Sequence, residues 1–177
     1  PLFTLIKEDK DAHRQGIYDM MRKNSERILH LINQMMDLRK IDKGQMMMHM
    51  SETDMVAFIG DEYKLFCQQA IAKSIQFTFE HEDEALPVWI DRDNFDKVLM
   101  NVLSNAFKFT PAGGRIRITL SHSPHHVRIA IKDSGKGIQE DKLETIFQRF
   151  YQSTTSSNDR NVGTGIGLDL TRSLVEL

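Results

Sequence analysis

The sequence predicts an α+β fold, in which a long helix precedes a part that mixes short strands with helices. A helical pattern runs from residue 17 to residue 41 without glycine or proline. Three later runs, 75–79, 116–120 and 127–131, alternate apolar with polar residues, as strands with one buried face do. Between residues 96 and 110 the apolar residues recur at helical spacing, which predicts a second buried helix.

Composition indicates a chain with a hydrophobic core and no strong preference for a charged partner. The 177 residues are 40% hydrophobic and 27% charged, enough for one domain or one domain with an appendage. A net charge of −2 gives no overall field that would attract nucleic acid or an anionic membrane. No apolar run approaches the ~20 residues of a membrane span. Because the chain begins at Pro1 without a methionine, we expect a piece of a longer protein.

The residues that usually hold transition metals are few. Cys67 is the only cysteine, which excludes an internal disulfide and a zinc site built from cysteines, and is compatible with a reducing cytoplasm. His122, His125 and His126 cluster in a polar link between two predicted strands. No cysteine or carboxylate accompanies them, so an exposed turn is the better interpretation of this cluster.

The long helix carries one apolar stripe with charges between its members. A helix of this kind needs a partner, which can be the preceding segment, a second copy of the chain, or both. We therefore expect a helical hairpin that dimerises; the alternative is an ordinary core helix of one globular domain. Gly44 is the expected end of the helix. The stripe consists of Ile17, Met20, Met21, Ile28, Leu31, Ile32, Met35 and Leu38.

The elements between residues 46 and 110 follow from caps and alternation. Asp54 is the predicted N-cap of a helix that runs to about residue 72, and Asp91 or Asp93 caps the helix that covers 96–110. Besides the alternating run at 75–79, short strands are predicted at 46–50 and 88–90.

After the helix at 96–110, called the central helix below, the sequence predicts a turn, a hairpin and two further helices. The two alternating runs at 116–120 and 127–131 are joined by a polar link, so they form a β-hairpin. A helix is expected at 140–147 and a final helix from Gly163 to the chain end. Between them, residues 152–162 are rich in Ser, Thr and Asn and are predicted to be a mobile loop.

Chemistry is first indicated by the central helix. Asn101 and Asn105 are four residues apart, so both carboxamides project from one helix face, and Lys108 lies within a turn of them. Two amides and an ammonium group suggest an oxygen-rich ligand, such as a metal ion with its phosphates. The alternative is that Asn101 bonds to the backbone and Asn105 is merely exposed.

Three further stretches of the sequence favour the ligand-binding interpretation of the central helix. They read Asp133-Ser-Gly-Lys-Gly137, Phe147-Gln-Arg-Phe150 and Gly163-Thr-Gly-Ile-Gly167. Glycines at a strand end and at a helix start let backbone N–H groups approach an anion. Each glycine pattern alone is weak evidence, but Asn-x-x-x-Asn and these three stretches in this order are strong evidence.

In these four stretches the chain resembles the sensor histidine kinases of two-component signalling, as their N, G1, F and G2 boxes. The resemblance implies a dimerisation and phosphotransfer hairpin at 1–45, with an incomplete first helix. It implies an ATP-binding catalytic domain at 46–177, a Bergerat-type α/β sandwich with a mixed sheet whose C-terminal strands are missing. It also implies ATP and Mg²⁺ as cofactors, and as partners a second copy, through the hairpin, and a response-regulator receiver domain. The expected location is the cytoplasm, as part of a membrane-anchored sensor, with no nucleic acid or membrane contact by this fragment.

The resemblance assigns roles on the central helix. Asn105 matches the magnesium ligand of the family, and Asn101 beside it supports the site. Lys108 matches the basic residue on the phosphates, and these three residues are the expected catalytic group. Phe109 matches an aromatic residue near the adenine.

Further nucleotide contacts are implied by the other three boxes. Asp133 matches the carboxylate that accepts a hydrogen bond from the adenine amino group, and Gly135 and Gly137 let the base come close. Glycines in the last box are the hinge of a lid, residues 152–162, that closes over the phosphates. The remaining expected contacts and the hinge are Ile138, Phe150, Gly163, Thr164, Gly165, Gly167 and Leu168.

Two departures from the family pattern matter. The phosphoacceptor box, with its histidine and its glutamate, is absent, so the acceptor histidine would lie upstream of residue 1. Many relatives carry an arginine where Gln152 stands, and Arg160 in the expected lid is a candidate replacement.

Two other functions compete with the kinase. An ATP-driven clamp like DNA gyrase, the mismatch-repair ATPases or the heat-shock chaperone uses a glutamate at the position of Asn101 to activate water, and an amide cannot take that proton. A nucleotide-binding dimeric scaffold, or a degenerate kinase, would need no acceptor histidine, but the intact boxes argue against degeneration.

Overall fold

The computed structural model describes residues 11–152 and 164–177 and has a mixed α/β architecture, as predicted. In chain order its elements are helix α1 (Ala12–Asp42), strand β1 (Met50–Asp54), helix α2 (Met55–Ala72), strands β2 (Gln76–Glu80) and β3 (Pro87–Asp91), helix α3 (Arg92–Phe109), strands β4 (Arg115–Ser123) and β5 (His126–Asp133), and helix α4 (Gly167–Glu176). Two short 3₁₀ turns, Glu140–Lys142 and Thr145–Phe147, lie between β5 and α4.

The strands form two sheets. The larger has the order β2-β4-β5, with β2 parallel to β4 and β4 antiparallel to β5, so the expected mixed sheet is confirmed. The smaller pairs β1 with β3 in antiparallel register, Met50 opposite Asp91. The register of the larger sheet sets Ile116 opposite Asp133, at the end of β5 that leads to the glycine-rich turn.

Helices α2 and α3 pack on the larger sheet through one hydrophobic core. The rings of Phe66 on α2 and Phe107 on α3 stack with their centroids 5.1 Å apart, and the ring of Phe77 on β2 meets Phe107 edge-on at 5.0 Å. Offset and edge-on contacts are the favoured geometries of aromatic pairs. The other core members are fully or nearly buried: Met55, Phe58, Ile59, Ala70, Ile75, Leu99, Leu103, Ala106, Ile116, Ile118 and Leu120.

Both predicted caps are confirmed. The Asp54 carboxylate accepts from the Val56 N–H at 3.0 Å and from the Leu86 N–H at 2.9 Å, which ties the start of α2 to the loop before β3. The hydrogen bond from Leu86 holds the pKa of Asp54 below its usual value, although partial burial opposes this. Of the two candidates for α3, Asp91 is the cap, and it accepts from the Asn94 N–H at 3.0 Å.

Helix α1 ends at Asp42, just before Gly44, the glycine predicted to stop it, and it packs on α3 and α4 near that end. Gly44 has a φ of 62°, and the N–H of Gln45 donates to the carbonyl of Lys40 at 2.8 Å. Leu38 is buried in a second apolar cluster, whose other members are Leu31, Ile41, Met46, Val98, Ile166, Leu170 and Leu174. The predicted first helix of the hairpin falls on residues 1–10, which lie outside the described residues. No helix in the described ranges is long and apolar enough to cross a membrane.

Five boundaries differ from the sequence-based expectation. Helix α1 begins at Ala12, five residues before the helical pattern that starts at residue 17. Residues 46–49 are not a strand, because β3 ends at Asp91 and leaves them no partner; the His49 N–H instead donates to the Asp91 carboxylate at 2.8 Å. The expected helix at 140–147 is two 3₁₀ turns that bury no residue. Strands β4 and β5 extend through most of the link between them, and α4 begins at Gly167.

A buried carboxyl group on α2 generates a prediction about pH. Glu62 is 8% exposed. Burial, then the hydrogen bond and charge of Asp96 on α3, raise its pKa from 4.5 to about 7, while Arg92 opposes the shift. A folded-state pKa above the unfolded value means that stability is full below pH 4.5 and is lost as pH rises through 7. We expect the free energy of unfolding to fall by about 1–3 kcal/mol between pH 5 and pH 8 in the wild type.

Glu62→Gln removes the titrating group and should flatten this dependence, raising stability relative to the wild type at pH 8. Chemical denaturation at several pH values measures this pH dependence of the free energy of unfolding. Glu84→Gln, at an exposed loop carboxylate, is the matched control and should keep the wild-type slope. Equal slopes for wild type and Glu62→Gln would contradict the assignment.

Candidate functional site

The turn after β5 and the end of α3 meet at Gly135. The Gly135 N–H donates to Oδ1 of Asp133 at 2.8 Å. A Cβ atom at this position would lie 2.7 Å from that oxygen and 2.7 Å from the carbonyl oxygen of Phe109, distances that real Cβ atoms do not reach. Only glycine therefore lets the turn pack on the end of α3, and this packing brings Asp133 beside Phe109.

Phe109 presents an exposed aromatic face between two cations. Its ring is 42% exposed. The Nζ atom of Lys108 lies 4.9 Å from the ring centroid, and that of Lys136 lies 5.4 Å from it. Ile138, 54% exposed, follows Gly137, whose φ of 70° favours glycine. This surface offers an apolar face for a planar ring and positive charge for an anion.

Asn101 connects α3 with the glycine stretch that opens α4. Its Nδ2 donates to the carbonyl of Gly167 at 3.3 Å. A Cβ atom at Gly167 would lie 3.1 Å from Oδ1 of Asn101, tighter than most real contacts. The same Oδ1 accepts from Nε2 of Gln34 on α1 at 3.3 Å. The first and last of the four sequence stretches are thus in contact.

Asn105 lies one turn beyond Asn101 and is half-buried. Among the described residues, no group forms a hydrogen bond with the Asn105 carboxamide. Its oxygen is therefore available to a ligand. No group of three or more His, Cys, Asp or Glu residues in the described ranges could hold a metal ion. A metal at this helix would therefore take the amide oxygen of Asn105 together with oxygens from a ligand and water, a donor set that suits Mg²⁺.

The third and fourth stretches meet through Phe150 and Gly165. The Phe150 N–H donates to the Gly165 carbonyl at 2.8 Å, and a Cβ atom at Gly165 would lie 2.7 Å from the Phe150 carbonyl carbon. Phe150 itself has a φ of 62° and is 63% exposed. Thr164 Oγ1 accepts from the Ile166 N–H at 3.3 Å, and Leu168 is half-buried. Gly163 and the predicted lid beyond Gln152 lie outside the described residues.

Three residues that neighbour the site were not predicted from the sequence. Lys136 stands inside the Asp-Ser-Gly-Lys-Gly stretch, so its position was a usable signal. Arg149 pairs with Asp42 at 2.8 and 2.6 Å and with Asp169 at 2.8 Å, and the bonds to Asp42 raise its pKa above an already high value. Gln34 is separated from Asn101 by 67 residues, and nothing in the sequence pattern joins them.

The histidine cluster is not part of this site. His122 Nε2 lies 3.3 Å from Oδ2 of Asp83, and all three histidines are exposed, as expected for them. They border a groove of about 520 Å³ between the two sheets, whose lining includes none of the residues of the four stretches. The groove is lined mainly by apolar side chains, among them Met55, Leu86, Val88, Ile90, Phe95, Val127 and Ile129.

Comparison with known proteins agrees with the geometry. Residues 90–177 match the family described as histidine kinase-, DNA gyrase B- and HSP90-like ATPases. The sensor histidine kinase TmoS of Ectopseudomonas mendocina is 35% identical over 90% of this chain, and histidine kinase P4 of Formosa agariphila is 32% identical over 89%. The chain spans 16% and 12% of the length of these two relatives.

A solved structure carries the assignment to the family. The nucleotide-free catalytic domain of histidine kinase ThkA is 33% identical, with a TM-score of 0.65 over 73% of this chain and 81% of that one. The described architecture, a mixed sheet with helices on one face, is therefore of the Bergerat type. The chain belongs to the sensor histidine kinases of two-component systems and carries their ATP-binding catalytic domain.

Proposed function

We propose that this chain is the kinase core of a two-component sensor, which binds Mg²⁺-ATP and transfers the γ-phosphoryl group to a histidine upstream of residue 1. The phosphoryl group then passes to an aspartate of a response regulator. The observation that carries the proposal is the convergence of the four stretches, through the contacts Gly135–Phe109, Asn101–Gly167 and Phe150–Gly165. Asn101 stands where a water-activating glutamate would be needed in a clamp ATPase, which favours transfer over hydrolysis.

The base would be held at the end of β5. One oxygen of the Asp133 carboxylate accepts from the Gly135 N–H, and the exposed carboxylate has further lone pairs for the exocyclic amine of adenine. Gly135 and Gly137 leave the backbone open to the ring, and Phe109 and Ile138 supply apolar surface. These groups bind and orient the base.

The triphosphate would lie along α3 toward the start of α4. Asn105 would hold Mg²⁺ through its amide oxygen, and Lys108 and the N–H groups of 163–167 would hold phosphate oxygens. Bound Mg²⁺ would neutralise charge that develops on the phosphates. Phosphoryl transfer depends mainly on such positioning and charge neutralisation.

The domain division and the partners are proposed on the same basis. Residues 1–45 would belong to the dimerisation and phosphotransfer hairpin and residues 46–177 to the catalytic domain. Histidine kinase ThkA has been solved in complex with the response regulator protein TrrA, and that complex matches this chain with a TM-score of 0.61 at 26% identity. We infer a receiver domain as the partner of this protein too, and a cytoplasmic location within a longer sensor.

The exposed apolar residues of α1 predict a homodimer. Met20, Ile28, Ile32 and Met35 are each at least half exposed on this helix. Two copies that bury these residues against each other would form a two-fold helical bundle. We expect a dimer in sedimentation velocity at high micromolar concentration, weakened by Ile28→Glu. Gln45→Glu, which adds the same negative charge at an exposed position after the helix, should leave the dimer intact. A monomeric wild type would refute the dimer.

The function itself is tested at Asn105. Asn105→Ala removes the proposed metal ligand but keeps the helix, since Ala is the better helix former. We expect Mg²⁺-ATP affinity to fall about tenfold, or 1.4 kcal/mol, while adenosine affinity is unchanged. Calorimetric titration of ATP and adenosine, with and without Mg²⁺, measures both. Lys108→Ala should weaken ATP more than adenosine, because its charge faces phosphate.

The matched control is Ser104→Ala, at the neighbouring exposed position. It should bind every ligand as the wild type does. The same proteins are then tested for transfer of labelled phosphate from ATP to a separately supplied, histidine-bearing hairpin. If Asn105→Ala binds Mg²⁺-ATP and transfers phosphate as well as the control, α3 is not the metal site.

A further inference from the structure

One face of the larger sheet points away from α2 and α3. Side chains alternate between the two faces of a strand, and on β4 Ile116, Ile118 and Leu120 are buried in the core between the sheet and the helices. The intervening positions of β4, and the positions of β2 and β5 in register with them, point outward. We call this outward surface the basic face, because its charged residues are Glu80 and four cations, Arg115, Arg117, Arg128 and Lys132.

The charge of the basic face is not balanced by the rest of the chain. The whole chain has a net charge of −2, yet this face carries four cations and one carboxylate. Arg117 pairs with Glu80 at 3.3 Å, and both side chains are about half exposed. The side chains of Arg115, Arg128 and Lys132 form no hydrogen bond or ion pair with any described residue. The face is therefore a positive surface on a chain that is negative overall.

Two of the cations stand directly opposite each other. The register of β4 and β5 pairs Arg117 with Lys132. Like charges at opposite positions of neighbouring antiparallel strands destabilise the pairing. A carboxylate bound at this pair would relieve the repulsion, so the sheet favours an anionic ligand here.

The centre of the basic face is formed by small side chains. Thr119 lies opposite Ala130, between the pair Arg117–Lys132 and the pair Ser121–Arg128. A partner's backbone can come close over these small residues while the long cations on either side contact its side chains. Alternate residues of any extended chain are about 7 Å apart. Carboxylates at alternate positions of an extended segment therefore match the spacing of outward positions along β4.

The residue types of this face favour a protein segment as its ligand. Three of the four cations are arginines, whose planar guanidinium binds a carboxylate through two parallel hydrogen bonds. Arginine is also enriched at protein–protein interfaces, where lysine is depleted. The outward positions within 76–80, 115–121 and 128–132 hold no aromatic side chain that could stack on a nucleic-acid base and no large apolar side chain that could enter a membrane.

We propose that the basic face is a docking surface for an acidic segment of another protein, which binds in extended form with carboxylates at alternate positions. This surface is separate from the proposed nucleotide site. Asp133 pairs with Ile116, so it belongs to the opposite face of the sheet, the one that packs on the helices. Docking on the basic face requires neither nucleotide nor metal and thus goes beyond the proposed function.

Fluorescence anisotropy with two short labelled peptides tests the docking. One peptide alternates glutamate with serine, and the other has the same composition with its glutamates in one block. We expect the 177-residue chain to bind the alternating peptide at least about threefold more tightly than the block peptide. Binding should weaken as salt is added, because salt screens exposed charges.

A double variant locates the peptide. Arg128→Gln combined with Lys132→Gln removes two exposed cations of the basic face. The affinity for the alternating peptide should then fall about tenfold. The matched control combines Lys43→Gln with Lys64→Gln, which removes two exposed cations outside this face, and it should bind the peptide as the wild type does. Circular dichroism checks that both variants are folded.

Three results would overturn the proposal. Equal affinity for the two peptides would show diffuse attraction without an extended fit. Unchanged affinity in the folded double variant of Arg128 and Lys132, or displacement of the peptide by Mg²⁺-ATP, would place the peptide on another surface. Cosedimentation with vesicles of phosphatidylserine and phosphatidylcholine, lost in the same double variant, would make a membrane the partner; we expect no such binding. None of these results changes the titrations of ATP and adenosine, which test the proposed function separately.

Discussion

The site depends on one close approach, that of Gly135 to the carbonyl of Phe109. Because position 135 carries no side chain, the turn after β5 packs on the last residue of α3. A second glycine supports the junction: Gly114 faces the side chains of Thr110 and Ser134, and Ser134 Oγ accepts from the Arg115 N–H at 2.8 Å. The junction is where a strand end that can recognise a base meets a helix end that carries an aromatic ring and a cation.

The rest of the site is arranged along α3 from that junction. The core packing of Leu99, Leu103 and Phe107 holds one face of the helix against the sheet, so the face with Asn101 and Asn105 turns toward α1 and α4. Helix α4 is held by its own apolar side on Leu38 of α1. Positions in the proposed metal site are therefore set by the packing of three helices.

The parts of the fold and of the site that depend on short stretches of sequence were predictable. The caps at Asp54 and Asp91, the end of α1 at Gly44 and the shared face of Asn101 and Asn105 follow from short-range rules of capping and helical periodicity. Prediction failed where secondary structure depends on contacts with distant parts of the chain. Residues 46–49 have a strand-like pattern but no strand to pair with. Residues 140–147 have a helical pattern but bury no side chain. The contact of Gln34 with Asn101 and that of Arg149 with Asp42 join residues more than sixty apart and have no sequence signal.

The close approach of Gly135 to Phe109 is proposed to build the base-binding end of the site. The affinity for adenosine, which carries no phosphate, tests this most directly. In Gly135→Ala the new Cβ would collide with two oxygens, whereas in Gly60→Ala, inside α2, it would meet nothing within 4 Å. Adenosine affinity, titrated by calorimetry on folded protein, should fall at least about tenfold in Gly135→Ala and stay at the wild-type value in Gly60→Ala. Wild-type adenosine affinity in a folded Gly135→Ala protein would contradict the account.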